Sequence, residues 1–122
     1  MKRLLLLFFG LPVLSFGQNT IGFPEVTNYS KFAYKGGLQN WDIKQGANGM
    51  IYIANNEGLL SFDGVFWTLY PLPNRTNVRS VEAGPDQILY VGGQDELGYF
   101  APSANGSLHY VSLVPLLDPK HR

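Results

Sequence analysis

The side chains that could take part in catalysis are few and widely spaced. The chain has no cysteine, and its two histidines, His109 and His121, fall on a predicted outer strand and in the C-terminal tail. Covalent catalysis needs a nucleophile beside a base, and no such constellation is visible. The acidic residues that could serve as metal ligands are dispersed and lack the spacing of a calcium loop; these candidates are Asp42, Asp63, Asp86, Asp95 and Glu96. We therefore predict no catalytic residue, metal or cofactor.

A second group of residues suits binding better than catalysis. Arginine and asparagine donate several hydrogen bonds, and a nearby aromatic ring offers an apolar face, so together they would fit an anionic or hydroxyl-rich oligosaccharide. The predicted ligand site consists of Asn40, Trp41, Arg75, Asn77 and Arg79. The alternative is that the arginines pair with Asp42 or Glu82 and that Trp41 serves only packing.

An internal repeat gives these binding residues a common location. Residues 43–62 align with residues 81–100 at a constant offset of 38, and both copies then reach an Asx-Gly turn. The turns are Asp63-Gly64 and Asn105-Gly106, which predicts an offset of 42 beyond them. Insertions at turns are what repeat proteins tolerate.

Each copy divides into four short strands, with Asp63-Gly64 predicting a two-residue hairpin. The strands are predicted at 41–44, 50–54, 58–62 and 65–70, then at 79–83, 88–92, 98–101 and 108–113. Four-stranded units of about 40 residues are typical of β-propeller blades, whereas a β-sandwich gives no reason for a fixed spacing. We predict an all-β fold with two four-stranded blades of an incomplete β-propeller. The candidate binding residues then fall in the loops that enter the innermost strands, where propellers bind ligands.

The N-terminus has the pattern of a signal peptide. Lys2 and Arg3 precede an apolar stretch, and Ser15-Phe16-Gly17 supplies small residues at the cleavage positions. A membrane anchor is the alternative, but this apolar stretch is shorter than the ~20 residues that a span needs. The predicted organisation is a signal peptide at 1–17, an N-terminal segment at 18–38, blades at 39–73 and 74–114, and a truncated tail at 115–122. The formal net charge of zero argues against nucleic-acid binding by this segment.

The repeat resembles a known family. Residues 39–43 (QNWDI) and 49–64 (GMIYIANNEGLLSFDG) resemble the two-component-regulator propeller repeat, and segments 22–30 and 70–75 resemble the start of Bacteroidetes sensor-regulators of that family. The resemblance spans about residues 21–113. It implies an exported periplasmic sensor region of many blades, a triple-tyrosine sandwich, one membrane helix and a kinase or helix-turn-helix output. This chain would then be a truncated ligand-sensing segment without output activity of its own.

The expected partners follow from that resemblance and from the blade count. They are a small glycan or other small molecule and the remaining blades of a parent propeller, with no membrane span in this segment. Two blades alone leave large apolar faces in water, so the isolated chain is predicted to be marginally stable, aggregating or proteolysed. Two alternatives stay open: an exported propeller enzyme, and a stand-alone protein that closes a ring by oligomerisation.

Overall fold

Eight strands in two antiparallel sheets make up most of the regular structure. The computed structural model describes residues 22–121, so the predicted signal peptide at 1–17 lies outside the described residues. The first sheet has the order β1-β2-β3-β4 and the second has the order β5-β6-β7-β8. Their strands are β1 (Asn40–Gln45), β2 (Ile51–Asn55), β3 (Gly58–Phe62), β4 (Trp67–Tyr70), β5 (Val78–Ala83), β6 (Leu89–Gly93), β7 (Glu96–Pro102) and β8 (Leu108–Ser112). The predicted all-β class is confirmed.

Short helical turns occupy the connections. One four-residue helix, α1 (Lys31–Tyr34), precedes the first sheet. Three 3-10 turns follow at Pro85–Gln87, Val114–Leu116 and Pro119–His121. Within residues 22–121 no helix has the length and apolar character needed to cross a membrane.

The two sheets repeat the same strand register. In both, the first strand carries a bulge near its start, and every paired position of the first three strands recurs 38 residues later. Examples are Ile43↔Ile53 with Val81↔Val91, and Ile51↔Phe62 with Leu89↔Phe100. The repeat found in the sequence is therefore a repeat of backbone geometry as well.

The fourth strands depart from the predicted spacing. Phe62 pairs with Trp67, and Phe100 pairs with Tyr110, so the offset becomes 43 and the predicted 42 is wrong. The β7–β8 hairpin extends two residue pairs further toward its turn than its counterpart does, and its loop has one more residue. The Asx-Gly turns do not occupy equivalent places in the two loops, which is why aligning them gave the wrong offset.

The β3–β4 loop also differs from the predicted two-residue hairpin. The carboxylate of Asp63 accepts hydrogen bonds from the backbone N–H groups of Val65, at 2.8 Å, and Phe66, at 2.6 Å. These bonds lower the pKa of Asp63 and hold a four-residue loop, so β4 begins at Trp67 rather than at position 65.

A shared apolar core lies between the sheets. Tyr52, Ala54 and Leu59 of the first sheet belong to one buried cluster with residues of the second sheet and the connector. The other buried members are Leu72, Val78, Val81, Leu89, Val91 and Phe100. Full burial of a large apolar side chain contributes about 1.5–3 kcal/mol relative to exposure, so this junction holds the two sheets together.

The N-terminal segment covers strands β3 and β4 on the face of the first sheet that points away from this core. The ring of Tyr29 lies edge-on to those of Phe62 and Trp67, with centroids 5.2 and 5.3 Å away, and Tyr34 lies 5.8 Å from Trp67. Leu60 beneath this segment is 1% exposed. Nearer to β1 the same face is open, because Ile43 is 61% exposed.

Candidate functional site

β1 and β5, which we call the inner strands, lie beside one another and run in the same direction. Three successive contacts join them: Trp41 with Arg79, Asp42 with Val81, and Lys44 with Glu82. Both strands therefore start at the same end of the molecule. We call this the inner-strand end, and it also carries the β2–β3 and β6–β7 turns.

The backbone of the inner-strand end is built twice in the same way. Asn56 N–H in the β2–β3 turn donates to Gln39 C=O at 3.1 Å, and Gln94 N–H in the β6–β7 turn donates to Asn77 C=O at 3.3 Å. Donors and acceptors of these two bonds are each 38 positions apart. The repeat thus fixes where each inner strand begins and where the adjoining side chains stand.

Trp41 and Arg79 form the centre of the candidate site. Each lies at the bulge of its inner strand, and the guanidinium carbon of Arg79 is 5.0 Å from the centroid of the Trp41 ring. This geometry is a cation–π contact. The indole N–H of Trp41 donates to Oδ1 of Asn56 at 3.2 Å, and Nε of Arg79 donates to Oδ1 of Asn77 at 3.2 Å.

These bonds decide which groups remain for a ligand. The amide oxygens of Asn56 and Asn77 are used internally, whereas their amide nitrogens make no hydrogen bond within residues 22–121. The same holds for the terminal nitrogens of Arg79, a side chain that is exposed along with Trp41. The group therefore offers donors and a positive charge, and it can bind an acceptor-rich or anionic group.

Asn40 belongs to a different network, centred on Asn55. Asn55 is fully buried, and its Nδ2 donates to Asn40 Oδ1 at 2.7 Å and to Gly37 C=O at 2.8 Å. Its Oδ1 accepts from the N–H groups of Gly37, at 2.8 Å, and Glu57, at 2.9 Å. The amide of Asn55 thus ties the N-terminal segment to the β2–β3 turn, and Asn40 supports that anchor.

Arg75 stands apart from the other predicted site residues. It lies in the connector before β5 with a φ of 54°, and its backbone N–H donates to Leu72 C=O at 2.9 Å. Among the described residues its exposed side chain makes no hydrogen bond or cation–π contact with Trp41 or Arg79. The structure therefore brings Trp41, Asn77 and Arg79 together, and leaves Asn40 and Arg75 outside that group.

The predicted alternative of arginine ion pairs is not what the structure contains. In the described part of the chain the acid–base contact at Glu82 is made by Lys44, with Nζ and Oε2 3.0 Å apart, and the Glu82 carboxylate raises the pKa of Lys44. Asp42 instead accepts backbone N–H groups, from Ile43 at 2.8 Å and across the sheets from Val81 at 3.1 Å.

Asn56 of the site and Asn55 of the neighbouring anchor were not predicted from the sequence. Asn55 and Asn56 read as ordinary turn residues, since asparagine is common in turns for local reasons. The signal that separates them is in the repeat, because the positions 38 residues later are Gly93 and Gln94. Asn55 stands where the second copy has Gly93, which indicates that its side chain makes a contact found only in the first copy. That contact is with the N-terminal segment.

Cavities and acidic clusters add little to the candidate site. A groove of about 250 Å³ lies on the open face of the second sheet, with Ser80, Glu82, Tyr90, Leu97 and Leu113 among its lining residues. A second cavity of about 200 Å³ lies between the sheets at the opposite end, beside Tyr52 and Ala83. Across residues 22–121 no three His, Cys, Asp or Glu side chains are grouped so as to hold a metal ion.

Comparisons with protein-family models, curated proteins and solved structures give no match. The candidate site therefore rests on the geometry described above, and the family resemblance rests on the repeat residues of the sequence.

Proposed function

We propose that the two sheets are neighbouring blades of a β-propeller and that the inner-strand end binds a ligand as part of an extracytoplasmic sensor for signal transduction. The observation that carries the proposal is the parallel, side-by-side packing of the two inner strands with Trp41 and Arg79 joined where those strands begin. Blades around a propeller axis place their innermost strands in this way, and their loops converge at one end.

The repeated register supports the blade arrangement. Two sheets of a sandwich have no reason to share the same pairings, whereas units repeated around an axis do. Here the pairings of three strands and the bulge of the first strand recur at one spacing. Two blades do not close a ring, so further sheets complete it.

The donor-rich surface at Trp41 and Arg79 supports the ligand class. Uronic acids and sulfated sugars carry the acceptor oxygens and negative charge that a guanidinium binds well. Trp41 adds an aromatic ring that is 42% exposed. An anionic oligosaccharide is therefore the ligand that this surface fits best.

The sensing role is supported by the sequence. The signal-peptide pattern at 1–17 favours export, and the repeat resembles that of propeller sensor-regulators. In this proposal the chain contributes ligand recognition, and output belongs to other parts of the signalling system.

Tryptophan fluorescence provides the test. Trp67 is the other tryptophan, and its buried indole N–H has no hydrogen-bond partner in the described structure, so Trp67→Phe leaves Trp41 as the sole reporter without removing such a bond. We expect a uronic-acid oligosaccharide to change the Trp41 fluorescence saturably and a neutral oligosaccharide of equal length to bind less tightly. Adding Arg79→Gln should weaken binding about tenfold to a hundredfold, since a charge-assisted hydrogen bond is worth roughly 1.5–3 kcal/mol.

The matched control for that titration is Lys31→Gln, which removes an exposed charge on α1. This control should bind like the parent variant. The proposal is wrong if no charged oligosaccharide gives saturable binding, or if Arg79→Gln and Lys31→Gln behave alike.

A further inference from the structure

The contacts between the inner strands join equivalent positions of the repeat. Lys44 pairs with Tyr52 in the first sheet, and Glu82 pairs with Tyr90 in the second, so the ion pair of Lys44 with Glu82 links the same position in both sheets. The contact of Trp41 with Arg79 does likewise, because both residues lie at the inner-strand bulge.

Such contacts imply what the next sheet must carry. In a ring of equivalent sheets, each inner-strand position faces its equivalent on both sides. A sheet that packs on the second sheet would then have to supply a cation for Glu82 and an aromatic ring for Arg79. A sheet that packs on the first sheet would have to supply an acid for Lys44 and a cation for Trp41. The first sheet of a second copy carries both residues that the second sheet requires.

The open apolar faces match in the same way. On the second sheet Tyr90 and Leu97 are 44% and 43% exposed, whereas their equivalents in the first sheet, Tyr52 and Leu59, are 3% and 0% exposed in the junction between the sheets. On the first sheet Ile43 is 61% exposed, whereas its equivalent Val81 is 2% exposed. The exposed apolar residues of both faces are thus equivalent to residues that are buried in the internal junction.

The N-terminal segment leaves the required part of the first sheet accessible. It packs on Phe62 and Trp67, in the outer strands β3 and β4. The inner strand β1, which carries Trp41, Ile43 and Lys44, lies beyond this cover. A second sheet can therefore reach β1, whereas Phe62, the equivalent of the junction residue Phe100, is already covered by Tyr29.

We propose that the open face of the second sheet binds the first sheet of a second copy of this chain, head to tail, so that copies close a ring in which Lys44 alternates with Glu82 and Trp41 with Arg79. The proposal rests on the blade arrangement and is independent of the ligand. Propellers have about four to eight blades, so copies that each contribute the two described sheets would form a ring of about two to four copies.

Charge exchange tests the alternation. Purified chain should form one discrete oligomer of about two to four copies in light scattering. Glu82→Lys places like charges at every junction and should raise the concentration for half-assembly at least tenfold. Lys44→Glu should do the same, and the double variant K44E/E82K, which exchanges the charges, should restore assembly. A monomer, an open filament, or a double variant no better than the single variants would overturn the proposal.

A cross-linking measurement covers the case in which single charge reversals unfold the chain. Tyr52 and Ala83 line the same cavity across the internal junction, and their equivalents on the open faces are Tyr90 and Gln45. Because the chain has no cysteine, Tyr90→Cys and Gln45→Cys chains can be mixed and treated with a short bismaleimide. We expect a covalent dimer carrying one of each variant. A mixture of Tyr90→Cys with Asp63→Cys, at the exposed β3–β4 loop, is the matched control. Equal yields in the two mixtures would contradict the head-to-tail contact.

Discussion

Tyr110 and Tyr52 differ in the hydrogen bonding of their hydroxyl groups, although both pack in the same core. The hydroxyl of Tyr110 is buried beside Glu96 and Ser112 without a well-formed hydrogen bond to either, and this burial and the neighbouring Glu96 carboxylate raise the pKa of Tyr110. The hydroxyl of Tyr52 accepts a bond from Asn48 at 3.1 Å and donates to the sulfur of Met50 at 3.6 Å. A buried polar group without a partner is a cost, whereas a satisfied one contributes to stability.

We predict opposite effects when each hydroxyl is removed. Tyr110→Phe should leave the free energy of unfolding unchanged or raise it, because the lost group had no bond to lose. Tyr52→Phe should lower the free energy of unfolding by about 1 kcal/mol, because the amide of Asn48 loses its acceptor. Urea denaturation of both variants measures the difference. A larger loss in Tyr110→Phe than in Tyr52→Phe would show that the Tyr110 hydroxyl is bonded to Glu96 or Ser112.

At the scale of elements, the anchor of the N-terminal segment depends on Asn55. Its amide makes bonds on both sides of the gap between residues 37–40 and the β2–β3 turn. In the second sheet Gly93 occupies the equivalent place, where an added Cβ would meet the carbonyl of Asn77. An asparagine at position 93 would therefore need the backbone at Asn77 to shift.

Asn55→Ala should release the N-terminal segment from the sheet. The N–H groups of Gly37 and Glu57 would lose their acceptor, so we expect a loss of about 2 kcal/mol or more in unfolding free energy. Hydrogen exchange at these two amides should become faster than in the unchanged chain. Asn56→Ala is the matched control, because it removes the exposed neighbour and should change stability by less than about 0.5 kcal/mol. Unchanged exchange at Gly37 in Asn55→Ala would exclude the anchor.

The strand bounds were largely predictable from the sequence, whereas the loop conformations were not. β3 has the predicted bounds, and most other strands differ from prediction by one or two residues at an end, because periodicity and a fixed offset locate buried positions well. The β3–β4 loop was missed because Asp63 bonds two backbone N–H groups, a local effect that the Asp-Gly pair alone does not specify. In the candidate site, the grouping of Trp41 with Arg79 follows from the repeat. The isolation of Arg75 depends on a connector conformation that no pattern encodes.

At the scale of the whole molecule, two equivalent leucines differ in burial, so their substitution should affect folding in one case and self-association in the other. Leu59 is fully buried between the sheets, and Leu97 is 43% exposed on the open face. The same side chain therefore serves the internal junction in one sheet and is left for an external contact in the other.

Leu59→Ala should lower the unfolding free energy by about 2–5 kcal/mol, as expected for a buried leucine. Leu97→Ala should cost less than about 1 kcal/mol in dilute monomer and should weaken self-association in light scattering. Urea denaturation at low concentration, with light scattering at high concentration, measures both effects. The assignment of the two faces fails if Leu97→Ala destabilises the dilute chain as much as Leu59→Ala does.

The strand order of each sheet has a consequence for folding. Every strand pairs only with its neighbours in sequence, so each sheet forms from local contacts. Distant residues are joined by the packing of one sheet on the other and of the N-terminal segment on β3 and β4. Contacts between residues close in sequence form quickly because little loop entropy is lost. As the chain is synthesised, the first sheet is complete once Tyr70 has emerged, before β5 exists. Until the second sheet follows, the nascent chain exposes Tyr52, Ala54 and Leu59, and in that interval it is open to capture by a chaperone.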